Sequence, residues 1–100
     1  MTNIKTVSDK KMPIKDLKKI DNHIKTTTFR LVGEYYGNLI DQVDKKEKRK
    51  LNLKISKIIV RLVHQKFDVT HLKKIKWFSF VDALVYIDNL TIDDLKFYLQ

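Results

Sequence analysis

The chain contains no cysteine, so it has neither disulfide bridges nor thiolate ligands for a metal. With only two glycines, it also lacks the glycine-rich loop with which many nucleotide-binding proteins hold phosphates. Acidic residues are few: 12 of them face 21 lysines and arginines, which leaves a net charge of +9. An excess of this size favours polyanionic partners, namely DNA, RNA or an anionic membrane surface.

Long apolar runs are missing as well. The longest uncharged apolar run covers residues 77–81, far less than a membrane span needs. The first residues have no apolar segment of signal-peptide length. We therefore expect a soluble, cytoplasmic protein with no membrane partner.

No set of residues with catalytic or metal-binding spacing stands out. His23, His64 and His71 are scattered along the chain, and a zinc site would lack its remaining ligands. No serine is followed or preceded by histidine and aspartate in a recognisable order. We predict that the protein is not an enzyme and that it uses no cofactor and no metal.

Charge is distributed unevenly along the chain. Residues 1–78 have 20 lysines and arginines and 8 acids, while residues 79–100 have one lysine and four aspartates. We predict a flexible basic arm over residues 1–12 and a single small domain over residues 13–100. That domain would have its core at 24–63 and a helical extension with an acidic end at 64–100. A protein partner can be expected to bind through residues 77–100, where Trp77 and Phe78 lie beside the change of charge.

Residues 26–31, TTTFRL, are rich in β-branched and aromatic side chains and predict a short strand. Strand alternation would place Thr26, Thr28 and Arg30 on one polar face. A hydroxyl or guanidinium in that position can read base edges in a DNA major groove, which admits a two-stranded ribbon.

Helical signals recur in five other places. Apolar residues predict helices at 14–24 and 34–48, although Gly33 and Gly37 also permit a β-hairpin there. Asn52 is a plausible N-cap for a helix whose apolar stripe runs through residues 55–63. Capping-box spacing at residues 79/82 and 91/94 predicts two more helices, at about 80–88 and 92–99.

A dense cationic run, KKEKRK, covers residues 45–50 and predicts a basic turn between two helices. Cations in such a turn are suited to contact DNA phosphates. The candidate phosphate contacts are Lys48, Arg49 and Lys50, followed by Lys54 and Lys57 on the exposed side of the next helix.

The order of strand, helix, basic turn and helix over residues 24–63 resembles the ribbon-helix-helix family of Arc/MetJ/CopG-like DNA-binding proteins. The resemblance implies a mainly α fold with a short β element, in which two chains pair their strands into a ribbon. It implies that Thr26, Thr28 and Arg30 face the bases in the major groove. It also implies that the backbone near Asn52 holds a phosphate, helped by Lys50 and Lys54. The expected state is therefore a homodimer on double-stranded DNA.

An α+β winged helix-turn-helix is the alternative fold, with the segment VGEYYGN as its wing. Lysine (18) far outnumbers arginine (3), a bias typical of AT-rich genomes, plasmids and phages. The sequence thus predicts a sequence-specific double-stranded DNA-binding protein, acting as a repressor, a partition or copy-control factor, or a transfer-origin accessory protein. Two other classes stay open: a small helical interaction protein of the bacteriocin-immunity or phage host-inhibitor type, and an RNA-binding protein.

Overall fold

Four α-helices make up most of the protein in a computed structural model that describes residues 12–99. They are α1 (Ile14–Tyr36), α2 (Lys45–Phe67), α3 (Phe80–Asp88) and α4 (Ile92–Leu99). Three short 3₁₀ segments connect them, at Gly37–Gln42, Leu72–Lys74 and Trp77–Ser79. Of the predicted basic arm at residues 1–12, residues 1–11 lie outside the described part of the chain.

The two long helices, 23 residues each, form an antiparallel hairpin about 35 Å long. Each contributes one apolar stripe at helical spacing to the seam between them. The stripe residues are fully or almost fully buried: Ile20, Ile24 and Leu31 on α1, and Ile55, Ile59 and Val63 on α2. This seam is the centre of the hydrophobic core.

The strand predicted at residues 26–31 is wrong, since this segment lies in the middle of α1. The apolar spacing that starts at Ile20 and Ile24 continues through Leu31, and burial along this stripe overrides the β-preference of the three threonines. The part of the chain that the structure describes has no strand at all. The ribbon-helix-helix fold with a short β element is therefore wrong, and so are the α+β winged helix and its hairpin.

The turn between the long helices lies earlier than predicted. α1 ends at Tyr36 because Gly37 adopts φ 55° and ψ −129°, a conformation open mainly to glycine. The basic run at residues 45–50 is consequently not a turn: it forms the first turns of α2. Asp44 occupies the N-cap position of that helix, and the predicted N-cap, Asn52, lies inside it.

The helix predicted at 34–48 is wrong, because α1 ends at Tyr36 and α2 begins at Lys45, but four other helix predictions are confirmed. Residues 14–24 and 55–63 are helical within α1 and α2, and the predicted helices at 80–88 and 92–99 coincide with α3 and α4. The capping box of α4 forms as expected: the Thr91 backbone N–H donates to the Asp94 carboxylate at 2.8 Å, and the Asp94 N–H lies 3.4 Å from the Thr91 hydroxyl. Ser79 is at the N-cap position of α3 but makes no capping bond with its side chain.

The short helices α3 and α4 cover the hairpin and complete the core. Ala83, Ile87 and Leu95 are fully buried beneath them, together with Ile75 from the preceding loop. Trp77 stays partly exposed and donates its indole N–H to the Asp16 carboxylate at 3.2 Å, while Phe78 lies mostly in solvent. No helix within residues 12–99 is long and apolar enough to cross a membrane.

The two glycines at the end of α1 should respond in opposite ways to alanine. Gly37→Ala places a side chain at positive φ and should lower the free energy of unfolding by about 1–2 kcal/mol. Gly33→Ala should raise it by up to about 1 kcal/mol, because Gly33 is helical and its new Cβ would meet no atom within 4 Å. Urea unfolding followed by circular dichroism measures both; equal effects of the two changes would contradict this description of the turn.

Candidate nucleic-acid interface

The three residues predicted to face DNA bases are helical and do not share an exposed face. Thr28 is buried at 1% exposure, and its hydroxyl donates to the Ile24 carbonyl at 2.7 Å, within the same helix. Thr26 is exposed on α1. The prediction that Thr26, Thr28 and Arg30 form one base-reading face is therefore wrong.

Arg30 connects α1 to the corner between α3 and α4. Its Nη2 donates to the Leu90 carbonyl at 2.7 Å and to the Asp88 carbonyl at 3.3 Å, while Nη1 pairs with Glu34 at 3.0 Å. A cation at this position also suits the negative end of the α3 dipole. The guanidinium thus binds the protein's own backbone.

Two neighbours of Arg30 on α1 hold the same corner. The Nδ1 of His23 lies 2.8 Å from the Asp88 carboxylate, and the Thr27 hydroxyl donates to the Ile87 carbonyl at 3.4 Å. Arg30, His23 and Thr27 together thus form a structural contact between α1 and the end of α3.

The remaining predicted site residues all lie on α2, which has seven lysines and two arginines against one glutamate, a net charge of +8. The helical repeat places seven of these nine cations in two sets. One set, which we call the outer face, points away from the core and consists of Lys46, Lys50, Lys57 and Arg61. The other borders a groove between α1 and α2 and consists of Lys45, Lys48 and Arg49, with Asn52 beside them.

The outer face extends over about 23 Å from Lys46 to Arg61. Within the described residues, none of its four cations pairs with a carboxylate. Arg61 lies over the Tyr98 ring, 5.3 Å from its centroid, and this contact orients the guanidinium beside α4. The face therefore presents a row of cations that can all turn toward one anionic partner.

Two residues at the edges of this row contact other parts of the protein. Lys54 donates from Nζ to the Leu99 carbonyl at 3.4 Å, so it is partly engaged with α4. Glu47 borders the row, since it lines one depression with Lys50 and Lys54 beside Tyr36, whose hydroxyl donates to the Glu47 carbonyl at 3.4 Å. Desolvation, followed by the charge of Glu47 and then Tyr35, raises the pKa of Tyr36.

Lys46 and Arg61 were not among the residues predicted from sequence. The signal was present in their spacing, since 46, 50, 57 and 61 fall on one side of a helix. Arg61 already lies opposite the apolar stripe of the helix predicted from Asn52, whereas Lys46 joins that side only when α2 begins at Lys45. The described residues contain no group of three or more side chains that could hold a metal ion.

No protein-family model, curated protein or solved structure matches this chain.

Arg30 should stabilise the folded protein through its hydrogen bonds, in addition to contributing a positive charge. Arg30→Ala removes two hydrogen bonds to backbone carbonyls and should lower the free energy of unfolding by about 1–2 kcal/mol. Lys25→Ala is the matched control, because Lys25 makes only an exposed pair with Asp21 that is expected to contribute at most about 0.5 kcal/mol. Chemical denaturation of the two variants measures the difference; a loss no larger for Arg30 than for Lys25 would count against the contact.

Proposed function

We propose that the protein binds double-stranded DNA through the outer face of α2. The observation that supports this proposal is a row of cations over about 23 Å of one helix, none of which pairs with a carboxylate of residues 12–99. A helix of this kind needs no conformational change to meet a polyanion. The row also accounts for the charge asymmetry of the sequence, because α2 alone has a net charge of +8.

Binding would proceed by phosphate contact. Each lysine that neutralises a phosphate releases a condensed counterion, which makes the affinity strongly dependent on salt. The major groove, about 12 Å wide, admits one α-helix, and phosphates line both of its edges. Lys46, Lys50 and Lys57 have flexible side chains that can reach phosphates from a helix laid along such a groove.

Sequence preference would need base contacts in addition. The base-reading strand is absent from the described residues, and Thr28 and Arg30 are engaged within the protein. We therefore propose DNA binding in which phosphate contact supplies most of the affinity. Repression, partition or copy control, and transfer-origin function remain proposals for the process it serves. A homodimer also remains a prediction, but strand pairing no longer supports it.

A small helical interaction protein is the second candidate function. It is favoured by large apolar side chains that lie in solvent, among them Phe29, Phe78 and Phe97. Aromatic residues of this kind are common anchors in protein interfaces. Under this alternative the cations of α2 would serve solubility or steer an acidic partner.

A triple substitution of the outer face tests the DNA proposal. Lys46→Gln, Lys50→Gln and Lys57→Gln together should weaken binding to duplex DNA by about tenfold or more at low salt. They should also make the slope of log K against log salt shallower by roughly 2–3, because three phosphate contacts are lost. Fluorescence anisotropy with a labelled duplex at several salt concentrations gives both quantities.

The matched control removes the same charge elsewhere. Lys15, Lys18 and Lys19 are exposed on the first turns of α1, and changing all three to glutamine should alter the salt slope much less. Equal losses for the two triple variants would mean that net charge alone drives binding. Absence of any complex at low salt would overturn the DNA proposal. Stronger binding to single-stranded or duplex RNA would mean that the ligand is RNA instead of DNA.

A further inference from the structure

An open groove lies beside the first turns of α2, on a different side from the outer face. It is bounded by the last part of α1, the 3₁₀ segment Gly37–Gln42 and the start of α2, and it encloses about 530 Å³. Its apolar surface comes from Phe29, Val32 and Ile40, and its cationic rim from Lys45, Lys48 and Arg49.

The apolar part of the groove is open to solvent. Phe29 is 79% exposed and forms one wall, while Val32 is almost fully buried and forms the floor. Gly33 leaves the α1 side of the groove open, because it has no side chain and no atom of the described residues lies within 4 Å of the position that a Cβ would take. The groove therefore has room for an inserted apolar side chain from outside.

The rim is positive on one side only. The helical repeat places residues 45, 48, 49 and 52 along the groove, and it turns Glu47 toward Tyr35 and Tyr36 in a separate depression. No acidic residue lines the groove among the residues that the structure describes. An occupant would need apolar side chains for the floor and carboxylates for the rim.

We propose that this groove binds an acidic amphipathic helix of a partner protein. Such a helix uses bulky apolar residues at positions i, i+3, i+4 and i+7 as anchors and lies between two helices as a third. Acidic residues beside its apolar stripe would meet Lys45, Lys48 and Arg49. The groove spans residues 45–52 of α2, about two helical turns, which matches a short docking segment.

The open shape and the charge favour this occupant over others. A small amphiphile needs a pocket that encloses most of its surface, whereas Phe29 stays exposed here. DNA phosphates would match the rim but would leave the apolar floor uncovered. The chain's own residues 1–11 contain three lysines and one aspartate, so their charge repels the rim.

The acidic end of a second copy is a poorer match. On α4, Asp93 already pairs with Lys96 at 3.0 Å, and Asp94 forms the capping box with Thr91. These carboxylates are thus partly neutralised within their own helix. A separate protein with free carboxylates beside an apolar stripe fits the rim better.

A designed peptide gives a direct test. The probe is a fluorescein-labelled helix of about 15 residues with leucines at i, i+3, i+4 and i+7 and glutamates beside them. A second peptide has the same composition in scrambled order, which keeps the charge and removes the apolar face. We expect the ordered peptide to bind the full chain with a Kd of about 1–100 µM and the scrambled one at least about tenfold more weakly.

Two variants of the protein locate the binding. Gly33→Leu fills the groove without changing its charge and should weaken binding about tenfold or more, as should Lys48→Glu with Arg49→Glu. Lys18→Glu with Lys19→Glu makes the same charge change on a distant part of α1 and should have little effect. Circular dichroism confirms that each variant is folded.

The outcomes separate this inference from the DNA proposal. Gly33→Leu keeps every cation, so it should leave duplex DNA binding unchanged while it removes peptide binding. Equal affinity for the ordered and scrambled peptides, or normal binding by Gly33→Leu, would overturn the inference. If submicellar laurate displaces the peptide at lower concentration, the ligand of the groove would be a fatty acid instead of a helix. If the protein is a dimer and Gly33→Leu dissociates it, the occupant of the groove would be a second copy of the chain instead of a partner helix.

Discussion

The apolar seam between α1 and α2 determines where everything else on this protein can lie. Burial of Ile20, Ile24 and Leu31 against Ile55, Ile59 and Val63 fixes the rotation of both long helices about their axes. A helix with nine cations cannot bury them, so they emerge on the two sides that the seam leaves open. The outer face and the groove rim are thus consequences of one packing constraint.

Helix positions with strong apolar spacing could be predicted from the sequence. The stripe at residues 55–63 and the capping signals before α3 and α4 gave the correct helices. These signals are local, because spacing and caps depend on residues within one or two turns. The cationic character of residues 45–50 was also evident, although not their helical state.

The middle of α1 could not be predicted in the same way. Threonine and phenylalanine prefer strands, and TTTFRL also alternates between polar and apolar residues as a half-buried strand does. Only contacts with distant residues distinguish a helix from a strand here. Thr27 donates a hydrogen bond to the Ile87 carbonyl and Arg30 donates one to the Leu90 carbonyl, about 60 residues away along the chain. The structural contacts of Arg30 were missed for this reason, since its partners are backbone atoms that no sequence pattern reveals.

The contact between Arg30 and the corner at residues 88–90 has a consequence for how the protein opens. α3 and α4 have nine and eight residues, fewer than the roughly 12–15 that an isolated helix needs in water. They are helical only while they are docked on the hairpin, α3 mainly on α1 and α4 mainly on α2. Because their outward side has no partner among the described residues, each can detach while the long hairpin keeps its own seam. The last fifth of the chain should therefore open before the rest, with the end of α3 held largely by one guanidinium and the apolar side chains beneath it.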